Sequence, residues 1–596
     1  MGSHGVIGDL ETLALVGEDA TLEWLCWPRF DSPSIFGSLL DTDGGEWSIK
    51  PTSPGARQRQ LYLPETNVIV TRFHHPDGLV EVQDFMNATG SGRAIVRQVT
   101  GIRGQVDMRS AMRVRPDYGR AIATWVSDQS SGTSGLWFEV DGEKLYATST
   151  VELDLEEGEV GASFSIGEGD SVAFCLGVDP ELNIDQLGNA NERFWRDWIE
   201  QSTYSGRWSE IVKRSALTLK LLTHEPTGGL IAAGTSSLPE ALDGERNWDY
   251  RYVWIRDAAF TLYAFMELGF HDEAEAFTAW LDARLAAAPE GRENGPLSPL
   301  YDLDGNDELD EQELDHWSGY RNTSPVRIGN GASGQLQLDI YGELMDSMYL
   351  ADKKGRGLSL ESWQRLCGVI EWVCENWDQP DDGIWEVRSG RDRFTSSALM
   401  CWVALERGIR MATERGRPAD LERWRRTRDV IHNTITTEAW NNDVGAFTQT
   451  FGGDNVDASI LLMPLVKFVA GDDPQWLSTL EVLEDQLVHG VLVDRYDNSV
   501  ADDGLEGDDG SFSICSFWYV EALTRAGRTE QARGLFERML TYAGPLGLFS
   551  EVISPNGEQL GNYPQAFTHL SLISAAVHLD KALDHPTIKE DDHDDR

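Results

Sequence analysis

The 596-residue chain predicts a mainly α protein in two parts, an antiparallel β-sandwich followed by a toroid of helix pairs. Two observations predict it. Between about 60 and 175, the short segments TNVIVTRF, GLVEVQDFM, RAIVRQVTG, LWFEVDG and KLYATSTVEL are β-branched and broken by Gly, Asp and Pro, which reads as strands. Downstream the period changes to 3.6 in RSALTLKLLTH, RDAAFTLYAFMELGF, GQLQLDIYGELMDSMYLA, LESWQRLCGVIEWVCENW, SSALMCWVALERGIRMA, SICSFWYVEALTRAG and FTHLSLISAAVHLDKAL. The loops between these helices are loaded with Trp, Tyr, Arg, Asp and Glu, which suggests a site at one end of the toroid. The expected divisions are a β-sandwich over 1–190, a linker helix over 191–210 that contains NERFWRDWIEQS, a helical domain over 211–583 and a solvated acidic tail over 584–596.

Composition narrows the partners. Asp and Glu number 99 against 50 Lys and Arg, a formal charge of −49. Such self-repulsion is screened within about 3 Å at molar salt, so the excess of carboxylates fits a salt-accumulating, halophilic host. With no basic patch to neutralise phosphates, nucleic acid and anionic membranes are not expected partners. No run of about eighteen apolar residues is present, and MGSHGVIGDLETLALVG lacks a basic region before an apolar core, so a cytoplasmic protein is expected. The six cysteines are dispersed without a CxxC pair and read as free thiols, neither zinc ligands nor a disulfide framework.

Three stretches carry possible chemistry. In DDGIWEVRSG, 381–390, Glu386 follows Trp385, where desolvation can raise a carboxyl pKa; a surface turn whose Trp covers a core edge is the plainer alternative. RNWDYRYVWIRDAAF, 246–260, crowds aromatics with arginines and aspartates before a helix, the mixture a neutral, hydroxyl-rich ligand needs. Within it Asp257 could equally be a helix N-cap. In GLFSEVISPNGEQLGNYPQAFTHL, 547–570, Glu551 is a second isolated carboxylate in a loop before a helix. Two carboxylates on separate loops of one helical domain could be the acid and base of a glycosidase. DLDGNDELDEQE, 302–313, has its glycine fourth where an EF-hand needs it sixth and reads as a solvated acidic loop. PVRIGNGASG, 325–334, lacks the ending of a phosphate loop, and RFDSPS, 29–34, reads as either a reach toward the site or a packed turn. No metal site is expected.

Taken in order, RNWDYRYVWIRD, SPVRIGNGASGQLQLDIYGE, DDGIWEVRSG, FWYVEALTRAG and SEVISPNGEQLGNYPQAFTHLSL resemble glycoside hydrolase family 15, which holds glucoamylases, trehalases and related exo-α-glucosidases. IGDLETLALVG and WLCWPRFDSPSIF look like its prokaryotic branch, and the acidity points to a haloarchaeal host. The resemblance implies an N-terminal β-sandwich, an (α/α)6 barrel and inversion at the anomeric carbon without a cofactor.

Carried over by residue, Glu386 would be the general acid and Glu551 the general base. Arg256 and Asp257 would hold the terminal glucose, with Tyr250, Trp254 and Trp385 lining the site. Trp385 is expected to desolvate Glu386 and keep it protonated while Glu551 stays ionised. Val387 stands where fungal members carry a second carboxylate, which leaves the leaving-group subsite open. The small-molecule carbohydrate substrate is expected to be an α-glucan or maltooligosaccharide in glucoamylase fashion, narrowly ahead of trehalose. A disaccharide phosphorylase and a non-catalytic glycan-binding protein are the readings from other classes.

Overall fold

The structure, a computed structural model, describes residues 1–585 apart from 129–134, 182, 290, 293, 356, 501–502 and 506–508. Of the predicted acidic tail, Asp584 closes the last helix and 586–596 lie outside the described residues.

The N-terminal part is a 15-stranded sheet whose pairings are all antiparallel. Predicted strands appear at Ile69–His75, Gly78–Met86, Gly135–Val140 and Glu143–Ser149. RAIVRQVTG is only the first half of a 20-residue strand, Ala94–Arg113. The first half of that strand pairs with Gly78–Met86 and Ser171–Gly177, the second with Glu46–Pro51 and Glu159–Gly167. One strand therefore serves two faces that close on a shared core of Leu22, Trp47, Val82, Val99 and Phe138.

Strands also fill the first sixty residues, from Gly5–Gly8 to Arg57–Tyr62, where alternation gave no signal. The reason is burial on both sides. Leu13–Val16 is buried at every position because the helical part covers its outer face, and Trp24 Nε1 reaches across to the Gly234 carbonyl at 2.9 Å. The predicted linker helix over 191–210 is instead the end of one helix, Ile184–Ile199, and the start of another, Ser209–Leu222.

Downstream, the helices Ala258–Leu268, Asp339–Lys354, Thr395–Arg415, Ser513–Arg525 and Ala566–Asp584 are buried along most of their length. They touch in chain order, with the short turns Ala458–Leu461 and Leu462–Leu465 between the third and fourth, and the last packs back on the first. Around them lie Ser209–Leu222, His271–Ala287, Leu360–Asn376, Leu421–Thr434, Pro474–Leu487 and Thr529–Met539. Four of these outer helices escape the apolar-period reading; Leu421–Thr434, for one, buries Trp424 and Ile431. Among the described residues no helix is long and apolar enough to cross a membrane, and all six cysteines are free, with Cys367 and Cys374 half-buried.

Candidate active site

The segment leading to Asp257 is extended, so its side chains alternate. Ala233 and Ala232 donate their N–H groups to the Tyr250 and Tyr252 carbonyls, both at 2.8 Å, and Val253–Trp254 pairs with Leu300–Tyr301. Tyr250, Tyr252 and Trp254 share one small cluster, while Val253 and Ile255 enter the main core. Between the tyrosines, buried Arg251 forks onto Asp249 (2.8 and 2.6 Å) and reaches Cys26 Sγ (3.2 Å), the Ser32 carbonyl (2.8 Å) and Tyr118 Oη (3.0 Å). The aromatic row is thus anchored on the sheet part. RFDSPS is a packed turn there, with Arg29 also paired to Asp304 at 2.7 Å. Asp257 precedes a helix yet caps none of its N–H groups; it lies 3.4 Å from Arg256 Nε, and burial, opposed by Arg256, pushes its pKa up to about 6.

Glu386 sits on a strained turn. Its φ is +58°, a left-handed conformation uncommon for a residue with a Cβ. The turn is held by its neighbours: Asp382 Oδ2 accepts the Leu336 N–H at 2.8 Å and Asp381 Oδ2 the Leu338 N–H at 2.9 Å. Trp254 Nε1 (2.8 Å) and Arg256 Nη1 (3.0 Å) both donate to Glu386 Oε1. Trp385 gives its polar edge to a different carboxylate. Its indole N–H donates instead to Asp457 at 2.6 Å, and its ring packs on Tyr496, Phe512 and Trp518. The groups set against Glu386 are the Trp254 N–H and a guanidinium.

Glu551 is completely buried, on a loop held by the pairing of Ser511–Phe512 with Val552–Ile553 and by the Ser513 N–H, which donates to the Glu551 carbonyl at 2.9 Å. Its Oε2 accepts the Asn562 N–H at 3.2 Å, Tyr250 hydrogen-bonds to it, and its Oε1 has no partner among the described residues. Gly561 makes this possible, since a Cβ there would lie 2.7 Å from Oε2 and φ is +70°. Burial, then the charge of Glu240, pushes the Glu551 pKa well above the usual carboxylate range, against the expectation of an easily ionised base. Burial and the Glu551 charge likewise raise the Tyr250 hydroxyl, which keeps it a donor.

Two cavities meet at Glu386. The first is lined by Arg256, Asp257, Trp518, Gln565 and Phe567 among others; the second by Glu240, Arg246, Trp248, Arg388 and Asp503 among others. Tyr250, Trp385, Glu386 and Arg495 line both. Of the residues expected from sequence, Tyr250, Arg256, Asp257, Trp385 and Glu386 face the cavities. Trp254 stands behind Glu386, and Glu551 behind Tyr250. Sequence reading missed Glu240, Arg495, Trp518 and Phe567. Trp518 lies in FWYVEALTRAG, where charge beside aromatics is a visible signal; isolated Arg495 and Glu240 give none.

Residues 206–577 match the glycosyl hydrolases family 15 profile, and 1–171 match the trehalase-like N-terminal family. A trehalase of Mycolicibacterium smegmatis is 38% identical over 98% of this chain and 91% of its own length. A trehalase of Thermoplasma acidophilum is 34% identical over 95% and 98%. A bacterial glucoamylase complexed with acarbose has the same fold, with a TM-score of 0.74 over 97% of this chain and 94% of that one, at 12% identity. Fold and site together define a glycoside hydrolase. The chain belongs to glycoside hydrolase family 15.

Proposed function

We propose that the protein is a trehalase, hydrolysing α,α-trehalose to two glucose molecules with inversion at one anomeric carbon. The observation that carries this is the pair of cavities meeting at Glu386, one on each side of that carboxylate. The second is walled by the Arg246–Asp503 pair at 2.8 Å and the Arg388–Glu311 pair at 2.8 Å, an arrangement suited to one further ring rather than a polymer. Full-length relatives named trehalase support the same substrate, so the narrow preference for a glucoamylase reverses.

In this reading the helical part is an (α/α)6 barrel beside a β-sandwich, and the loops at one barrel end present the site. One glucose binds in the first cavity against Arg256 and Asp257. Glu386 delivers a proton from Oε2 to the glycosidic oxygen, while Oε1 accepts from Trp254 and Arg256 and so fixes the carboxyl plane. Glu551, steadied by Tyr250 and Asn562, takes a proton from the water that attacks the opposite face. No group beyond these side chains is required for the step.

The test is a panel of trehalose, maltose, isomaltose and maltoheptaose in molar KCl, with and without phosphate. Trehalose should be preferred, and glucose should appear without phosphate. Early NMR spectra of the trehalose reaction should show α- and β-glucose in equal amounts, one from the leaving ring and one from the inverted ring. Preference for maltoheptaose, or α-glucose alone, refutes the proposal.

A further inference from the structure

The charged groups around the second cavity are largely committed to one another. Arg246 Nη2 donates to both Asp503 oxygens (3.0 and 2.8 Å), Tyr496 Oη donates to Asp503 Oδ2 (2.7 Å), and Arg388 is held by Glu311. Glu240 differs. It is 1% exposed, its Oε2 accepts from Arg495 Nη2 at 2.7 Å, and its Oε1 is buried without a partner among the described residues.

The backbone holds this carboxylate in place. Glu240 N–H donates to the Arg246 carbonyl at 3.1 Å, and the Pro239 carbonyl accepts from Gly561 at 2.7 Å, the residue that also touches Glu551. Trp248 lines the same cavity, with Arg388 over its ring at 4.1 Å. Val387, buried and apolar, supplies no acceptor from the turn that carries the acid. A buried acceptor left without a partner, on a residue that lines the cavity, is a site for a sugar hydroxyl.

We propose that Glu240 is a specificity-determining residue whose Oε1 accepts a hydroxyl of the departing sugar ring in the second cavity, so that glucosides with a hexose as leaving group are selected. This rests on the reading of the site as a disaccharide hydrolase. Because a site built to hydrogen-bond a hydroxyl discriminates strongly against ligands lacking it, the effect should depend on the leaving group.

The experiment compares kcat/KM for trehalose and for α-glucosyl fluoride, whose leaving group has no hydroxyls, in wild type, Glu240→Gln and Glu240→Ala. Loss of a charged hydrogen bond should lower the trehalose value by roughly 10–100-fold. The loss on the fluoride should be at least about tenfold smaller. Trp248→Ala, which strips the other wall of the cavity, should give the same split and serves if the Glu240 variants do not fold. Equal losses on both substrates would make Glu240 a partner of Glu551 in the chemistry and overturn the proposal, as would undiminished trehalose hydrolysis. Failure of the trehalase reading shows separately, as wild-type protein that hydrolyses the fluoride and not trehalose.

Discussion

Replacing Arg251 with Met should damage both stability and substrate binding, although Arg251 faces away from the cavities. Its guanidinium is 1% exposed and its partner Asp249 is 0% exposed. Without it, Asp249 would keep only the Gly329 and Arg251 backbone N–H groups, both at 3.2 Å, while Ser32 and Tyr118 would lose a donor. Breaking a buried ion pair from one side costs about 3–5 kcal/mol, because the surviving charge stays buried. Tyr250 and Tyr252 flank Arg251, so a shift of this backbone carries the aromatic row with it. We expect a lower urea midpoint and a raised KM in Arg251→Met. The double variant Asp249→Asn, Arg251→Met should recover part of the stability, since no uncompensated charge remains. The assay is urea unfolding followed by fluorescence, with KM measured on the same samples. A single variant with unchanged midpoint and KM, or a double variant whose loss equals the sum of the singles, would refute the reasoning.

Glu386→Gln should lose about 10²–10⁴-fold on trehalose yet be rescued by α-glucosyl fluoride, whereas Glu551→Gln should be rescued far less; selective rescue of Glu551→Gln would exchange the two roles. Because burial and Glu240 raise the Glu551 pKa, a protonated, inactive base persists to higher pH, so kcat/KM should climb with pH through a midpoint above the ordinary glutamate value of about 4.3. A pH–rate profile whose acid limb falls at or below that value contradicts the assignment. With a formal charge of −49, the melting temperature should rise between roughly 0.1 and 2 M KCl; a flat response removes the argument from self-repulsion.

Much of the helical part was legible because its inner helices are apolar on most faces and long, whereas outer helices such as Leu421–Thr434 carry too few apolar residues to mark a period. The first strands were hidden for the opposite reason: Leu13–Val16 is buried on both faces, so nothing alternates. At the site, linear neighbours were readable and cross-chain ones were not. Glu386, Arg256 and Asp257 lie within distinctive local patterns. That Trp254 rather than Trp385 donates to Glu386, and that Glu240 stands beside Glu551, depend on loops far apart in the chain meeting at one place.

The left-handed turn at Glu386 sets a trade-off at a single position. Glycine adopts that conformation without steric cost, so it is the residue the backbone there favours, and it is the residue that removes the carboxyl group. Under the role proposed for Glu386, selection for a more relaxed fold and selection for turnover pull this codon in opposite directions. The Asp381 and Asp382 clamps on Leu338 and Leu336 are what let the chain keep a glutamate where its own geometry would choose none.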